Sequence, residues 1–350
     1  MIKNLKINIM FLLLSNLLFS DLLGPDVAFI DLPINAKSAS LGNTYLSDVG
    51  APANLLLNPA NIWFGNEINI SKGKPFWNVK PRFSISNFSI VEDDNNFNIM
   101  SNIQFSNKLT LGFGYLQNLQ AGIEEYNEDA IYLGEIEYIQ NMSIVGLASS
   151  FYGVNFGSSI GRIDNNFYFE NNPDISDQIL FSSVGLSMND KFLLTKRDFD
   201  KPIYEFLSYL LPYKLSFHIN SRNIYHYSFE GDIEIAKSSL YKNILGCKLD
   251  YQVHTNRSNS SYLIFMFDYS SNNNVTDNVL GFGLSYEFIF QKVNSINLNL
   301  GFNNVSILEE FSYGIEYRNK KADFSFSLAN VLTPWNSNYN VMTISYYFPK

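Results

Sequence analysis

The chain has 350 residues, of which 46% are hydrophobic, 16% aromatic and only 16% charged, against about 25% charged in a typical soluble domain. The aromatic content excludes a disordered chain, and the shortage of Ala, Glu and Lys excludes a coiled coil. A net charge of −9 without a basic tract argues against a nucleic-acid partner. One cysteine, Cys247, and three histidines allow no internal disulfide and leave little for a metal or cofactor site. The composition favours a β-rich protein that is not an enzyme.

Residues 1–20 have the pattern of a cleaved signal peptide. Lys3 and Lys6 form a basic region, an apolar stretch follows, and Ser20 is a small residue suited to the position before cleavage. A transmembrane helix is the alternative, but Asn16 interrupts a stretch that is already shorter than the roughly 20 apolar residues of a membrane span. We therefore expect the mature chain to leave the cytoplasm.

Residues 24–65 contain no long alternating run and are rich in small and turn-forming residues. In the tract Asn58-Pro59-Ala60, the Asn side chain is suited to hydrogen-bond the backbone of a turn that Pro59 stiffens. These features predict a compact plug over residues 21–66, or a short helix followed by turns. A hatch that moves and a static turn both fit the pattern.

From residue 67 onward, apolar and polar residues alternate with a period of two. In 281–290, Phe282, Tyr286 and Phe288 share one face, and Gly281, Ser285 and other small or polar residues share the opposite face. The same pattern recurs at 109–115, 154–161, 180–188, 213–220, 225–230, 296–303, 311–318 and 324–329. We interpret these runs as about 14 strands between 67 and 348, each of roughly 9–11 residues, the length of a tilted strand that crosses a bilayer.

Polar turns separate the runs, at Ser106-Asn107, Ser221-Arg222, 271–274 and Asn319-Lys320. Each strand has one aromatic face and one face of Gly, Ser and Asn, which predicts a transmembrane antiparallel β-barrel with a polar lumen. The barrel is expected to be closed, because lipid offers no hydrogen-bond partners for the backbone of an open sheet edge. A secreted soluble β-protein is the alternative. The alternation continues to Phe348, as in a last barrel strand, although outer-membrane barrels commonly end on an aromatic residue and not on Pro and Lys.

The segment 189–212 breaks the alternation and has the spacing of one helical face between Pro202 and Pro212. It fits a helical loop on the barrel wall, and also an interfacial helix or a lid at the rim.

Six charged or histidine residues fall on the strand faces that we expect to point inward, which favours a wet or plugged lumen over an apolar tunnel. They are Lys214, His218, Glu230, Glu287, Glu316 and Arg318. His218 and His226 are expected to face each other across a turn, but a third metal ligand is missing, so we expect no metal site. An apolar ligand pocket is instead predicted from plug residues, namely Leu55, Leu56, Ile62, Trp63 and Phe64.

The stretch 29–65 resembles the N-terminal signature of PorV/PorQ-like outer-membrane proteins, relatives of the FadL-type fatty-acid transporter barrels. The matching residues are Ala36, Lys37, Ser38, Ala39, Leu41, Gly42, Asp48, Asn58, Pro59 and Ala60, whereas Asn43 departs from the Gly that is usual at its position. The resemblance implies a hatch inside the barrel, with Gly42, Asp48, Asn58, Pro59 and Ala60 as its motif. It also implies passive passage of small hydrophobic compounds or, as the alternative, a barrel subunit or cargo-binding partner of a type IX-like secretion system.

The sequence thus predicts an all-β protein of the outer membrane of a diderm bacterium. It consists of a signal peptide (1–20), an N-terminal plug or hatch (21–66) and a transmembrane β-barrel (67–350). The expected partners are outer-membrane lipid, the barrel-assembly machinery, and either a hydrophobic small molecule or secretion-system proteins. We expect no cofactor and no nucleic acid.

Overall fold

In the computed structural model, fourteen antiparallel strands of the described residues close into a barrel. Each strand pairs with its neighbours in sequence, and β1 pairs with β14. The structure describes residues 35–42, 44, 50–63, 80–89, 95–106, 109–126, 132–151, 154–169, 175–188, 213–230, 233–256, 258–272, 279–305, 308–319, 321–322, 324–332 and 339–347. In these ranges, no helix is long and apolar enough to cross a membrane.

The strands begin and end as follows: β1 Lys80–Ser89, β2 Asn95–Ser106, β3 Leu109–Tyr126, β4 Tyr132–Phe151, β5 Val154–Phe169, β6 Ile175–Met188, β7 Tyr213–Glu230, β8 Ile233–Thr255, β9 Ser260–Asn272, β10 Val279–Phe290, β11 Asn294–Val305, β12 Leu308–Asn319, β13 Phe324–Leu332 and β14 Tyr339–Tyr347. Before them lie two single-turn α-helices, α1 (Ala36–Ala39) and α2 (Asn54–Leu57), and a 3₁₀ helix (Pro59–Ile62). We call the end of the barrel at which β1 ends and β2 begins the upper end. The opposite end, where β1 begins and β14 ends, is the lower end.

The outward face of the barrel is apolar and the inward face is largely polar, as the alternation predicted. On β10, Phe282 is 44% exposed, whereas Ser285 is 2% exposed because it points into the barrel. From Leu280 to Phe288 the outward side chains are apolar or aromatic over eight residue steps, which at a tilt of about 40° corresponds to a band about 20 Å tall. This height is close to the apolar band of about 25 Å that surrounds transmembrane barrels.

The strands differ in length more than the sequence predicted. Strands β10 to β12 have 12 residues each, but β4 has 20 and β8 has 23, because they continue upward beyond the apolar band. The predicted turn at Ser221-Arg222 is wrong, since both residues lie inside β7 and pair with Asn243 and Lys242 of β8. His218 and His226 are therefore on one strand and do not face each other across a turn.

The described residues before β1 lie inside the barrel. We call residues 35–42, 44 and 50–63 the inner segment. They are buried, except that Lys37 and Ala51 are half-buried. The helix α1 packs on β12, β13 and β14, while α2 and the 3₁₀ helix pack on β3 to β6. The inner segment thus crosses the lumen from one wall to the other.

Candidate functional site

Long polar side chains of the barrel wall bind the backbone carbonyl groups of the inner segment. Arg82 Nη1 donates to Gly50 O at 3.1 Å, and Asn102 Nδ2 donates to the same oxygen at 3.0 Å and to Ile62 O at 3.1 Å. On the other side, Asn220 Nδ2 donates to Leu57 O at 2.8 Å, and the Arg222 guanidinium donates to Leu56 O. An irregular backbone inside a barrel needs such partners, because an unpaired buried carbonyl costs about 1–3 kcal/mol.

The opposite wall holds α1 by a second set of polar contacts. Ala36 N donates to Thr343 Oγ1 at 2.8 Å, and Asn299 Nδ2 donates to Ser40 Oγ at 2.9 Å. Lys37 Nζ lies 2.8 Å from Glu316 Oε2, and the Glu316 side chain is only 2% exposed. One of the inward charges that sequence analysis identified therefore anchors the inner segment.

The Asn58-Pro59-Ala60 tract forms the predicted turn and sits against wall glycines. Asn58 Oδ1 accepts a hydrogen bond from Ala60 N at 3.0 Å, and Pro59 begins the 3₁₀ helix. A Cβ atom on Gly157 would collide with the backbone of Pro59 and Ala60, and one on Gly185 would collide with Asn58 Oδ1. Only glycine at these two wall positions lets the turn come so close to the sheet.

Gly42 occupies the left-handed region, with φ +65°, where it turns the chain away from α1. A Cβ atom there would lie 2.7 Å from Phe282 O and 2.8 Å from Phe302 N, so this position also has no room for a side chain. Of the remaining predicted motif residues, Asp48 is outside the described part of the chain.

The inner segment and one half of the barrel wall share a buried apolar cluster, which we call the lumen cluster. Its inner-segment members are Ala53, Leu55, Leu56, Leu57, Ile62 and Trp63, and its wall members are Met100, Leu116, Met142, Ile144, Ala148, Ile163, Ile179, Phe181, Ile224 and Ile244. All are at most 9% exposed. The wall members come from β2 to β8, whereas the inward face of β10 to β14 is mostly Ser, Thr and Asn.

Four of the five residues predicted to form an apolar pocket belong to the lumen cluster, namely Leu55, Leu56, Ile62 and Trp63. The fifth, Phe64, is outside the described residues. The structure brings the four together, with side chains packed on the wall: a Cβ atom on Gly112 would lie 2.9 Å from Leu55 Cδ1 and 3.2 Å from Ile62 Cδ1. Whether they line a ligand pocket stays a prediction.

The inward face of β2 to β8 is less polar than the lumen expected from the sequence, because each of these strands contributes at least one apolar side chain to the lumen cluster. On β4, Met142 and Ile144 point inward and Val145 and Leu147 point outward, so apolar residues occupy both faces of the strand. The signal in the sequence was the loss of alternation over 142–148. The wall residues that bind the inner segment, such as Arg82 and Asn220, carried no comparable signal, because polar inward residues are ordinary in a barrel strand.

Close contacts among the titratable side chains of the described residues decide whether they could form a metal site. His218 is buried, with Nε2 3.4 Å from Asp268 Oδ1. No group of three His, Cys, Asp or Glu side chains that could hold a metal ion occurs in the part of the chain that the structure describes. The side chains of Lys214, His226 and Glu230 lie outside the described set, as does the predicted helix at 189–212.

Two of the solved structures with a similar fold are a monoaromatic hydrocarbon channel and a toluene transporter. The monoaromatic hydrocarbon channel CymD matches with 9% identity over 91% of this chain and 99% of its own, at a TM-score of 0.52. The toluene transporter TbuX of Ralstonia pickettii matches with 10% identity over 92% of this chain and 99% of its own, also at a TM-score of 0.52. No protein-family model matches the chain, and no curated protein matches it.

These similarities define the class of fold. The chain has a closed 14-strand antiparallel barrel, and the neighbours that share this fold are hydrocarbon transporter barrels of the FadL type. The sequence predicted this resemblance of fold. At about 10% identity the likeness concerns the fold alone. The resemblance to PorV/PorQ-like proteins finds no support in these matches and stays a prediction.

Proposed function

We propose that this protein is an outer-membrane channel for small hydrophobic compounds, in which the inner segment acts as the hatch. The observation that carries the proposal is the lumen cluster, because it places an apolar wall inside a barrel whose outward face is also apolar. A channel for polar solutes would keep its interior polar throughout. The fold shared with CymD and TbuX supports the same function.

In this mechanism, the energy for taking up a compound comes from burying its apolar surface against the wall of β2 to β8, at about 25 cal/mol per Å². The inner segment closes the path below, held by the backbone hydrogen bonds from Arg82, Asn102, Asn220 and Arg222. Passage then requires the inner segment to shift. Ser312 and Thr343 on the polar wall of β10 to β14 also accept hydrogen bonds from the backbone of the inner segment, so its polar end faces that wall and its apolar end faces the lumen cluster.

We expect the chain to raise the uptake of labelled toluene in a diderm host that lacks its own FadL-type transporter. Ile163→Gln places an amide in the lumen cluster and should lower the initial rate several-fold. Glu137→Gln, at an exposed position of β4, is the matched control and should leave the rate unchanged. Uptake equal to that of cells without the protein, despite its presence in the outer membrane, would contradict the proposal.

A second function, as a barrel partner in a secretion system, is favoured by the outward surface above the apolar band. There Gln117, Asn141, Asp164 and Gln178 are register partners on β3 to β6, and Gln178 Nε2 lies 3.4 Å from Asp164 Oδ1. A polar wall that rises above the membrane offers a surface to another protein. Copurification of envelope proteins in mild detergent, together with unchanged toluene uptake, would favour this function over transport.

A further inference from the structure

Inward side chains on the neighbouring strands β3 to β6 form three successive levels, one above the other. The lowest, the apolar row, belongs to the lumen cluster and is formed by Leu116, Met142, Ile163 and Ile179. Two residues further up each strand lies the polar row, formed by Asn118, Gln140, Asn165 and Asp177. Above it, Tyr138 and Phe167 form the aromatic pair, with ring centroids 4.6 Å apart and ring planes at 27°.

The polar row carries buried hydrogen-bond acceptors that the wall does not use. Gln140 is 2% exposed and donates through Nε2 to Asn165 Oδ1 at 2.6 Å, while Asn118 is 8% exposed. Gln140 Oε1 and Asn118 Oδ1 are buried and have no hydrogen-bond partner among the described residues. Buried acceptors of this kind are rare in proteins, because leaving them unpaired is costly. They are suited to bind a donor that is supplied by a ligand.

The side chains around these acceptors indicate the shape and polarity of the rest of such a ligand. The aromatic pair directly above is half-buried and offers planar faces, and the apolar row directly below is fully buried. Aromatic rings stack on such pairs with offset or edge geometry. The fourth member of the polar row, Asp177, is a carboxylate, which disfavours a ligand that is itself a carboxylate.

We propose that the polar row is a selectivity site for neutral aromatic compounds that carry a hydrogen-bond donor, of the phenol type. Such a compound places its ring between the aromatic pair and the apolar row and donates to Gln140 Oε1, with Asn118 Oδ1 as a neighbouring acceptor on β3. Plain hydrocarbons leave these acceptors unpaired, and carboxylates meet Asp177. The inference rests on the proposed function, since it names the class of compound that the same lumen prefers.

Three ligands with one ring and one methyl group test the proposal: p-cresol, toluene and p-toluate. The purified full-length protein is dialysed to equilibrium against each, and binding is the excess over protein-free micelles of the same detergent. We expect p-cresol, which is neutral at pH 7, to bind about tenfold more tightly than toluene, and p-toluate to show no excess. Equal binding of p-cresol and toluene would overturn the proposal.

Two variants locate the preference. Gln140→Leu should bring p-cresol to within about twofold of toluene, whereas Gln117→Leu, on the exposed outward face of β3, should keep the tenfold preference. Asp177→Asn is the conservative second variant and should allow p-toluate to bind. A preference that both Leu variants retain, or both lose, contradicts the assignment to the polar row.

The outcomes also separate this proposal from the function on which it rests. Toluene and p-cresol bound equally well, together with normal toluene uptake, would leave the channel function intact and remove the selectivity site. Absence of binding for all three ligands, with no uptake, would contradict both.

Discussion

Removing residues 24–64 is expected to turn a barrel that does not conduct ions into one that does. The deletion takes away the inner segment and with it the contacts that hold it to the barrel wall, including the Lys37–Glu316 ion pair and the carbonyl partners of Arg82 and Arg222. The wall of β10 to β14 that is left behind is lined by Ser, Thr and Asn, which water wets readily. Planar-bilayer recordings should show steady ion conductance for the deletion variant.

The full-length chain, purified and reconstituted in the same way, is the control and should show no comparable steps. The barrel itself should still form, because every strand keeps both neighbours and only lumen contacts are lost. A deletion variant that inserts into the bilayer with the conductance of the full-length chain would show that the inner segment does not seal the lumen.

Placing a charge on the outward apolar face should strongly destabilise the protein in a bilayer. Phe282 is 44% exposed on β10, with Phe267 of β9 and Phe302 of β11 as its register partners. Phe282→Lys should lower the free energy of unfolding by about 2–4 kcal/mol, the cost of a lysine within the apolar band. Phe217→Lys on β7, where Phe217 is 39% exposed, should have an effect of the same size.

Gln291→Lys is the matched control, since Gln291 lies in the exposed turn between β10 and β11 and should change the free energy of unfolding by less than about 0.5 kcal/mol. Urea titration in lipid vesicles compares the three variants with the unchanged chain. If the Phe282 and Phe217 variants unfolded at the same urea concentration as the Gln291 variant, the outward face would not be in contact with lipid.

The barrel could be predicted from the sequence because the polarity pattern that defines each strand lies within a few consecutive residues. On β10, apolar residues alternate with small or polar residues from Leu280 to Phe288, so that the faces of Phe282 and Ser285 can be assigned without any knowledge of the neighbouring strands. The same reasoning failed at Ser221 and Arg222. Polar residues in succession usually mark a turn. Here Ser221 Oγ donates to Tyr241 OH of the neighbouring strand, and Arg222, on the opposite face, donates to Leu56 O inside the barrel.

The site depended on non-local contacts and was predicted only in part. The turn at Asn58 could be predicted, because its side chain accepts a hydrogen bond from the backbone of Ala60, only two residues further along the chain. The position of that turn against Gly157 and Gly185 brings together residues about a hundred positions apart, which no local pattern encodes. The apolar inward wall left a trace in the loss of alternation around Met142 and Ile144, and the polar row above it left none.

The proposed channel function requires that the outward face of the barrel lies against lipid. Spin labels are placed singly at the outward positions 280, 282, 284, 286 and 288 and at the inward positions 285 and 287, in the full-length chain reconstituted into vesicles. The collision rate of each label with oxygen, which dissolves in the bilayer, and with a water-soluble nickel complex then measures its contact with lipid. We predict oxygen accessibility with a period of two, high at positions 282, 284 and 286 and low at positions 285 and 287. High accessibility to the nickel complex at 282, 284 and 286 would contradict the account.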